Sequence, residues 1–137
     1  MSEGHLLVIE DDPPSRSMLV RGLQRLGYAA EGASDALEAQ ARIRVVGSAS
    51  FDAVLVDLRM PRMDGLQFVS WLEQLDPTLG AILLSAQEEA AMNDQLDHPS
   101  LLFRLHKPVP FPELDKTVQK AVAFTRVQRH HTPAGAV

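Results

Sequence analysis

Glu10, Asp11, Asp57, Ser85 and Lys107 each stand where an apolar run of the sequence ends. The acidic pair follows Leu6–Ile9, Asp57 follows Ala53–Val56, Ser85 follows Ala81–Leu84, and Lys107 closes the run begun at Leu101. A charge at the end of an apolar strand costs free energy unless something compensates it. Brought together, three carboxylates repel one another, and some of them resist ionising. A hard divalent cation with oxygen ligands relieves that repulsion, and Mg²⁺ (or Mn²⁺) commonly binds through one or two carboxylates plus phosphate oxygens. Three negative charges are balanced by two from such a metal and one from Lys107. The site is therefore neutral only when metal is bound, and it is then primed for an anion. A carboxylate is a covalent nucleophile toward phosphorus. Phosphoryl transfer needs chiefly positioning and charge neutralisation around the equatorial oxygens, which the metal, Lys107 and the Ser85 hydroxyl would supply.

For these groups to meet, the chain must bring distant strand ends to one edge. Leu6–Ile9 reads as a first strand, and Pro13 and Pro14 suit the start of a helix that carries Met18, Leu19, Leu23 and Leu26 and closes at Gly27. Tyr28–Glu31 reads as a weak second strand, and Ser34 as the cap of a helix through Leu37, Ala41 and Val45 that stops at Gly47. Ala53–Val56 is a third strand, apolar on both faces and hence central. It is followed by a helix with Leu66, Val69, Leu72 and Leu75 on its apolar positions. Ala81–Leu84 is a fourth strand, Gln87–Leu96 an exposed polar helix, Leu101–Leu105 a fifth strand, and Pro112–Val127 a last helix. Strands alternating with helices in this way predict an α/β fold, a parallel sheet covered on both faces. In such sheets ligands sit beyond the carboxyl ends of the strands, which is where the five polar groups fall. One domain is expected over residues 1–127, with a disordered tail over 128–137.

The bulk properties narrow the function further. The chain has 137 residues, 45% hydrophobic and 23% charged, and no cysteine, so neither disulfides nor thiolate metal sites arise. A formal charge of −5 argues against direct nucleic-acid binding, which needs a basic face. No apolar stretch approaches the roughly 20 residues that span a bilayer, and the N-terminus lacks the basic and apolar regions of a signal peptide. No membrane association and a cytoplasmic location are expected.

The stretches "VIEDD", "VLVDLRMPRMDG", "LLSA" and "HKP" together resemble the response regulator receiver domains (CheY-like) of two-component signalling, over about Leu6 to Phe124. The resemblance implies a flavodoxin-like, doubly wound five-stranded parallel sheet of order 2-1-3-4-5. It implies Asp57 as phosphoacceptor, Asp11 as a direct Mg²⁺ ligand with Asp57, Glu10 acting through water, and the backbone carbonyl of Arg59 as a third protein ligand. Ser85 takes the place of the hydroxyl that bonds the phosphoryl group, and Lys107 that of the lysine that pairs with it. A cis peptide before Pro108 is implied as well. The implied donor is a histidine kinase or histidine phosphotransfer protein, and the implied readout is a downstream protein docking on the fourth helix, fifth strand and last helix. Such a domain is a phosphoacceptor rather than an enzyme.

Other readings of the same residues are weaker. A phosphohydrolase that forms an aspartyl intermediate has a second acid two residues after the nucleophile, where this chain has Arg59. A nucleotide binder needs a Gly-rich loop after the first strand, where this chain has an acidic run. An unphosphorylated receiver used only for binding would not need the full acidic set. Asp12 is expected to cap the first helix and Asp64 to serve the turn before Gly65; the histidines read as surface residues, and Phe68 and Trp71 as helix packing. Two departures from the receiver pattern stand out. Arg104 occupies a position usually aromatic, and the small pair usual before the fifth strand is missing from "NDQLDHPSLLF". Because an isolated buried guanidinium is costly, Arg104 is expected to keep its head outward, with its stem on the fourth helix.

Overall fold

The computed structural model describes residues 4–86 and 98–131. The elements run β1 (His5–Ile9), α1 (Pro13–Arg25), β2 (Ala29–Ala33), α2 (Ala36–Val46), a short 3₁₀ turn (Ser48–Ser50), β3 (Ala53–Asp57), α3 (Gly65–Leu75), β4 (Ala81–Ala86), β5 (Leu101–Lys107) and α4 (Phe111–His131). All five strands are parallel, in the order β2-β1-β3-β4-β5, the flavodoxin-like order expected. The exposed helix expected over Gln87–Leu96 lies outside the described residues.

The central strands are apolar on both faces because both are covered. Leu7, Ile9, Val54, Val56 and Leu83 pack with Phe68, Val69 and Leu72 of α3 and Ala39 and Ile43 of α2. Leu6, Val8, Leu55, Ile82, Leu84 and Leu105 pack with Leu23 of α1 and Leu114, Val118, Ala121 and Val122 of α4. Thr125 closes the second layer: its buried hydroxyl accepts from the Gly80 amide at 2.9 Å and donates to the Ala121 carbonyl at 3.1 Å.

Local chemistry sets the helix ends. Asp12 caps α1 by accepting from the Ser15 amide at 3.0 Å, with prolines in the first turn, whose missing amides would have no helical partner there. Gly27 follows α1 at φ +103°, a conformation side chains rarely adopt. Asp64 forms a capping box with Gln67 at the start of α3.

Several boundaries differ from expectation. Asp35, not Ser34, caps α2, because its carboxylate reaches the Glu38 amide at 2.8 Å while the Ser34 amide is itself taken up by the Glu38 side chain. β2 runs two residues further, to Ala33, because its pairing with β1 extends to Ile9. Leu75 is half exposed at the end of α3. The last helix continues through 128–131 instead of ending at Val127, and Arg129 there bonds the carbonyls of Ser48 and Phe51 at 3.2 and 2.7 Å. His5 and His98 are half-buried rather than on the surface, each beside a carboxylate, Glu31 at 2.8 Å and Glu73 at 3.3 Å. Among the described residues no helix is long and apolar enough to cross a membrane.

Gly65 stands directly behind the end of β3. A Cβ there would lie 2.5 Å from the Asp57 carbonyl oxygen and 3.0 Å from the Leu58 Cα. Gly65→Ala is expected to destabilise the fold by about 1–3 kcal/mol through overpacking against backbone, read as a lower denaturation midpoint at unchanged slope.

Candidate functional site

Glu10 is fully buried and Asp57 is 6% exposed, while Asp11 is exposed beside them. One oxygen from each of the three lies within 4.8 Å of the others. Lys107, at the end of the edge strand β5, reaches across the sheet to both buried acids: its Nζ donates to Glu10 Oε1 at 2.8 Å and to Asp57 Oδ2 at 3.2 Å. The other Glu10 oxygen, Oε2, accepts from the Asp12 amide at 3.1 Å. Both Glu10 oxygens are thus already engaged by protein donors, whereas Asp11 projects toward solvent. The Glu10 backbone is held as well, its amide on Ala33 O at 3.1 Å and its carbonyl receiving Arg16 Nη1 at 2.9 Å. The peptide between Lys107 and Pro108 is cis, as expected.

The electrostatics follow the geometry. Asp57 is raised from 3.8 to about 6, first by burial and then by the charge of and hydrogen bonding to Glu10, against the pull of Lys107. Glu10 is pushed up by burial, but hydrogen bonds from Lys107 and the Asp12 amide outweigh this and hold it below the usual range. Asp11 is raised by desolvation and by Glu10. Burial pulls Lys107 down, and the two acids more than restore it. Of the two buried carboxylates, Asp57 is the one that keeps its proton longer.

Ser85 is fully buried at the end of β4, and there the structure corrects the reading of Arg104. Its head does not stay outward: Arg104 Nε donates to Ser85 Oγ at 3.1 Å. The register explains how. β4 and β5 pair Ala81 with Leu101 but Ile82 with Phe103, so Leu102 is left over and every later pair shifts by one. Arg104 then pairs with Leu83 and His106 with Ser85, which puts Arg104 and Ser85 on the same face, a pleat apart. Asp57 and Lys107 belong to the opposite face, with Leu55 and Leu105. Arg59 lies two residues beyond β3, with an exposed side chain.

Two contributors escaped the sequence reading. Arg16 has the spacing of a helix residue one turn inside α1, and nothing in its type points to the Glu10 carbonyl. The Arg104 contact depends on a register shift that no local pattern announces.

The chain belongs to the response regulator receiver domain family, whose model matches residues 6–119. It is 33% identical over 132 residues to the transcriptional regulatory protein ZraR of Escherichia coli O157:H7, covering 94% of this chain and 29% of that protein. It is 32% identical over 124 residues to the sensor histidine kinase RcsC of Salmonella typhi, covering 90% of this chain and 13% of that protein. The chain therefore spans less than a third of the length of these relatives. Its fold matches a response regulator receiver domain protein from Clostridium thermocellum with a TM-score of 0.83 at 20% identity, over 93% of this chain and 98% of that one.

The raised Asp57 sets a pH dependence. The folded chain binds the Asp57 proton more tightly than the unfolded chain, so without divalent metal this group makes stability fall as pH rises from about 4 to about 6. Asp57→Asn removes that contribution. In metal-free buffer the Asn variant is expected to gain on the wild type across this window and to stay more stable above it, by on the order of 1–3 kcal/mol. Denaturant titrations at pH 4.5 and 7.5 measure the gap.

Proposed function

We propose that this receiver domain accepts a phosphoryl group on Asp57 from a phosphohistidine of a histidine kinase or histidine phosphotransfer protein. The observation that carries the reading is the clasp of Lys107 on two buried carboxylates, with a third acid within reach of both. An Asp57 oxygen attacks phosphorus, the P–N bond breaks, and its electron pair stays on the imidazole nitrogen, which takes up a proton. Lys107, 3.2 Å from Asp57, can follow the group as it arrives and pair with a phosphoryl oxygen. Ser85 supplies a hydroxyl from the neighbouring strand end.

The donor set is all oxygen and acidic, which fits Mg²⁺ or Mn²⁺. Asp11, Asp57 and the backbone carbonyl of Arg59 would hold the ion directly. Glu10, whose oxygens are both engaged, would act through water. Such an ion would neutralise phosphoryl charge and favour the ionised form of Asp57. The group is consumed as a phosphoacceptor rather than turned over on a substrate; the exposed Arg59 stands where a phosphohydrolase would need its second acid.

The donor must approach beside Lys107. A groove there is lined by Met18 and Leu19 of α1 and by Leu84, Lys107, Pro108, Val109 and Phe111. Met18 is 66% and Phe111 41% exposed on its rim, apolar surface suited to a protein donor. Readout is proposed through a downstream protein contacting the face that includes β5 and α4, where Leu102, Phe103, Phe124 and Val127 line a second groove. With a formal charge of −5, that readout is protein–protein, without direct nucleic-acid or membrane contact.

Incubation with acetyl phosphate and Mg²⁺ tests the chemistry. The wild type is expected to gain one phosphoryl group by intact mass, and Asp57→Asn and metal-free wild type none; equal labelling of the Asn variant overturns the assignment. Met18→Glu tests the donor surface. It is expected to slow transfer from a phosphohistidine protein about tenfold or more while leaving acetyl phosphate labelling unchanged, measured side by side in stopped reactions.

A further inference from the structure

The groove beside the acidic cluster lies on the side of the sheet that Asp57 shares with Lys107. Leu84, which pairs with Asp57 in the ladder, is fully buried and lines it together with Leu19 of α1 and Pro108 and Val109 after β5. Among the described residues Lys107 is its only charged lining residue, and the Lys107 Nζ is 3.2 Å from Asp57 Oδ2. Phe111 lines the groove as well and is wedged against α1: a Cβ on Gly22 would lie 2.2 Å from the Phe111 Cζ. A glycine inside a helix weakens it relative to alanine. Here it makes room for that ring, so that α1 and the start of α4 are two walls of one groove.

The groove holds about 360 Å³. An apolar cavity of about 150 Å³ takes up a benzene ring, so there is room here for one ring and its substituent. The lining is apolar except for Ser15 and for the one cation that also contacts Asp57. Such a lining favours an anion with an apolar body. A small donor such as acetyl phosphate gains from the Lys107 charge and leaves the Leu84 and Leu19 surface to water. A donor with a ring in place of the methyl gains from both. Any donor to Asp57 must place its phosphorus at that carboxylate, which leaves its other end a short reach from the groove.

We propose that Asp57 also takes phosphoryl groups directly from free acyl phosphates whose acyl part is an apolar ring, benzoyl phosphate being the simplest, with the ring held in this groove. The proposal rests on the reading of Asp57 as phosphoacceptor and names a class of small donor for it. An Asp57 oxygen attacks phosphorus, the P–O bond of the mixed anhydride breaks, and its electron pair leaves with the benzoate carboxylate. Carboxylate and acyl phosphate become acyl phosphate and carboxylate, so charge balances and no proton moves.

The test compares benzoyl and acetyl phosphate as donors to the full chain with Mg²⁺ present, following intact mass over a range of donor concentrations. Half-saturation is expected at a concentration about tenfold or more lower for benzoyl phosphate; this comparison does not depend on which carboxylate is the better leaving group. A readout without chemistry runs beside it: benzylphosphonate is expected to shift the amide resonances of Leu84 and Val109 at about tenfold lower concentration than methylphosphonate. Leu19→Gln, similar in size but polar, is expected to bring the two half-saturation concentrations to within about threefold of each other. Val109→Thr keeps the shape, adds a hydroxyl and is expected to narrow the gap in the same direction, which covers the case in which the Leu19 variant folds poorly. Equal half-saturation for the two donors in the wild type overturns the proposal, and so does a preference that both variants retain in full. If the wild type labels from neither donor, the phosphoacceptor reading falls and this one with it. If it labels from both without preference, while Leu19→Gln slows transfer from a phosphohistidine protein, the groove serves the protein donor and only this proposal falls.

Discussion

The contact on which the rest of the site depends is the reach of Lys107 Nζ to Glu10 and Asp57, at 2.8 and 3.2 Å. Two carboxylates buried side by side repel, and without a cation between them one would stay protonated. Lys107 comes from the edge strand and the acids from the ends of β1 and β3, so one ammonium ties β5 to two strands that it does not pair with in the sheet. It offsets the cost of burial and the repulsion of Glu10 without abolishing them, and Asp57 remains raised to about 6. A site built this way is less stable than a neutral one would be, because charged carboxylates are costly to desolvate.

The two faces of the sheet divide the labour. Asp57 and Lys107 project on the side of α1 and α4, and the exposed apolar residues Met18 and Phe111 border that side of the site. Ser85 and Arg104 project on the side of α3. Asp57 pairs with Leu84, the residue before Ser85, so the two sides of the sheet meet at this end of β3 and β4.

Much of this was legible in the residues because strand and site signals coincide. Ala53–Val56 and Ala81–Leu84 are apolar without interruption, so their ends are unambiguous, and the polar residue that follows each is conspicuous. What was illegible was set by competition or by tertiary pairing. Ser34 and Asp35 are both good caps, and Asp35 prevails because it also meets Arg62 from the loop after β3. β2 has no apolar run to mark it; its extent comes from pairing with β1. The end of α4 continues past Val127 because Arg129 finds the carbonyls of Ser48 and Phe51, a contact 78 and more residues distant in sequence. His5 lacks any local sign of the Glu31 that it meets across β2.

The leftover residue Leu102 works like a shifted reading frame. Downstream of it each side chain of β5 takes its face from the shift and not from its distance to the start of the strand. In the unshifted frame Leu105 would stand opposite Ser85, and the arginine and lysine would exchange sides of the sheet. The identity of every site residue could be kept while a single deletion near Leu102 scrambled their meaning. The arrangement of these side chains is encoded in parity, the odd or even count of residues along one edge strand, as much as in the residues themselves.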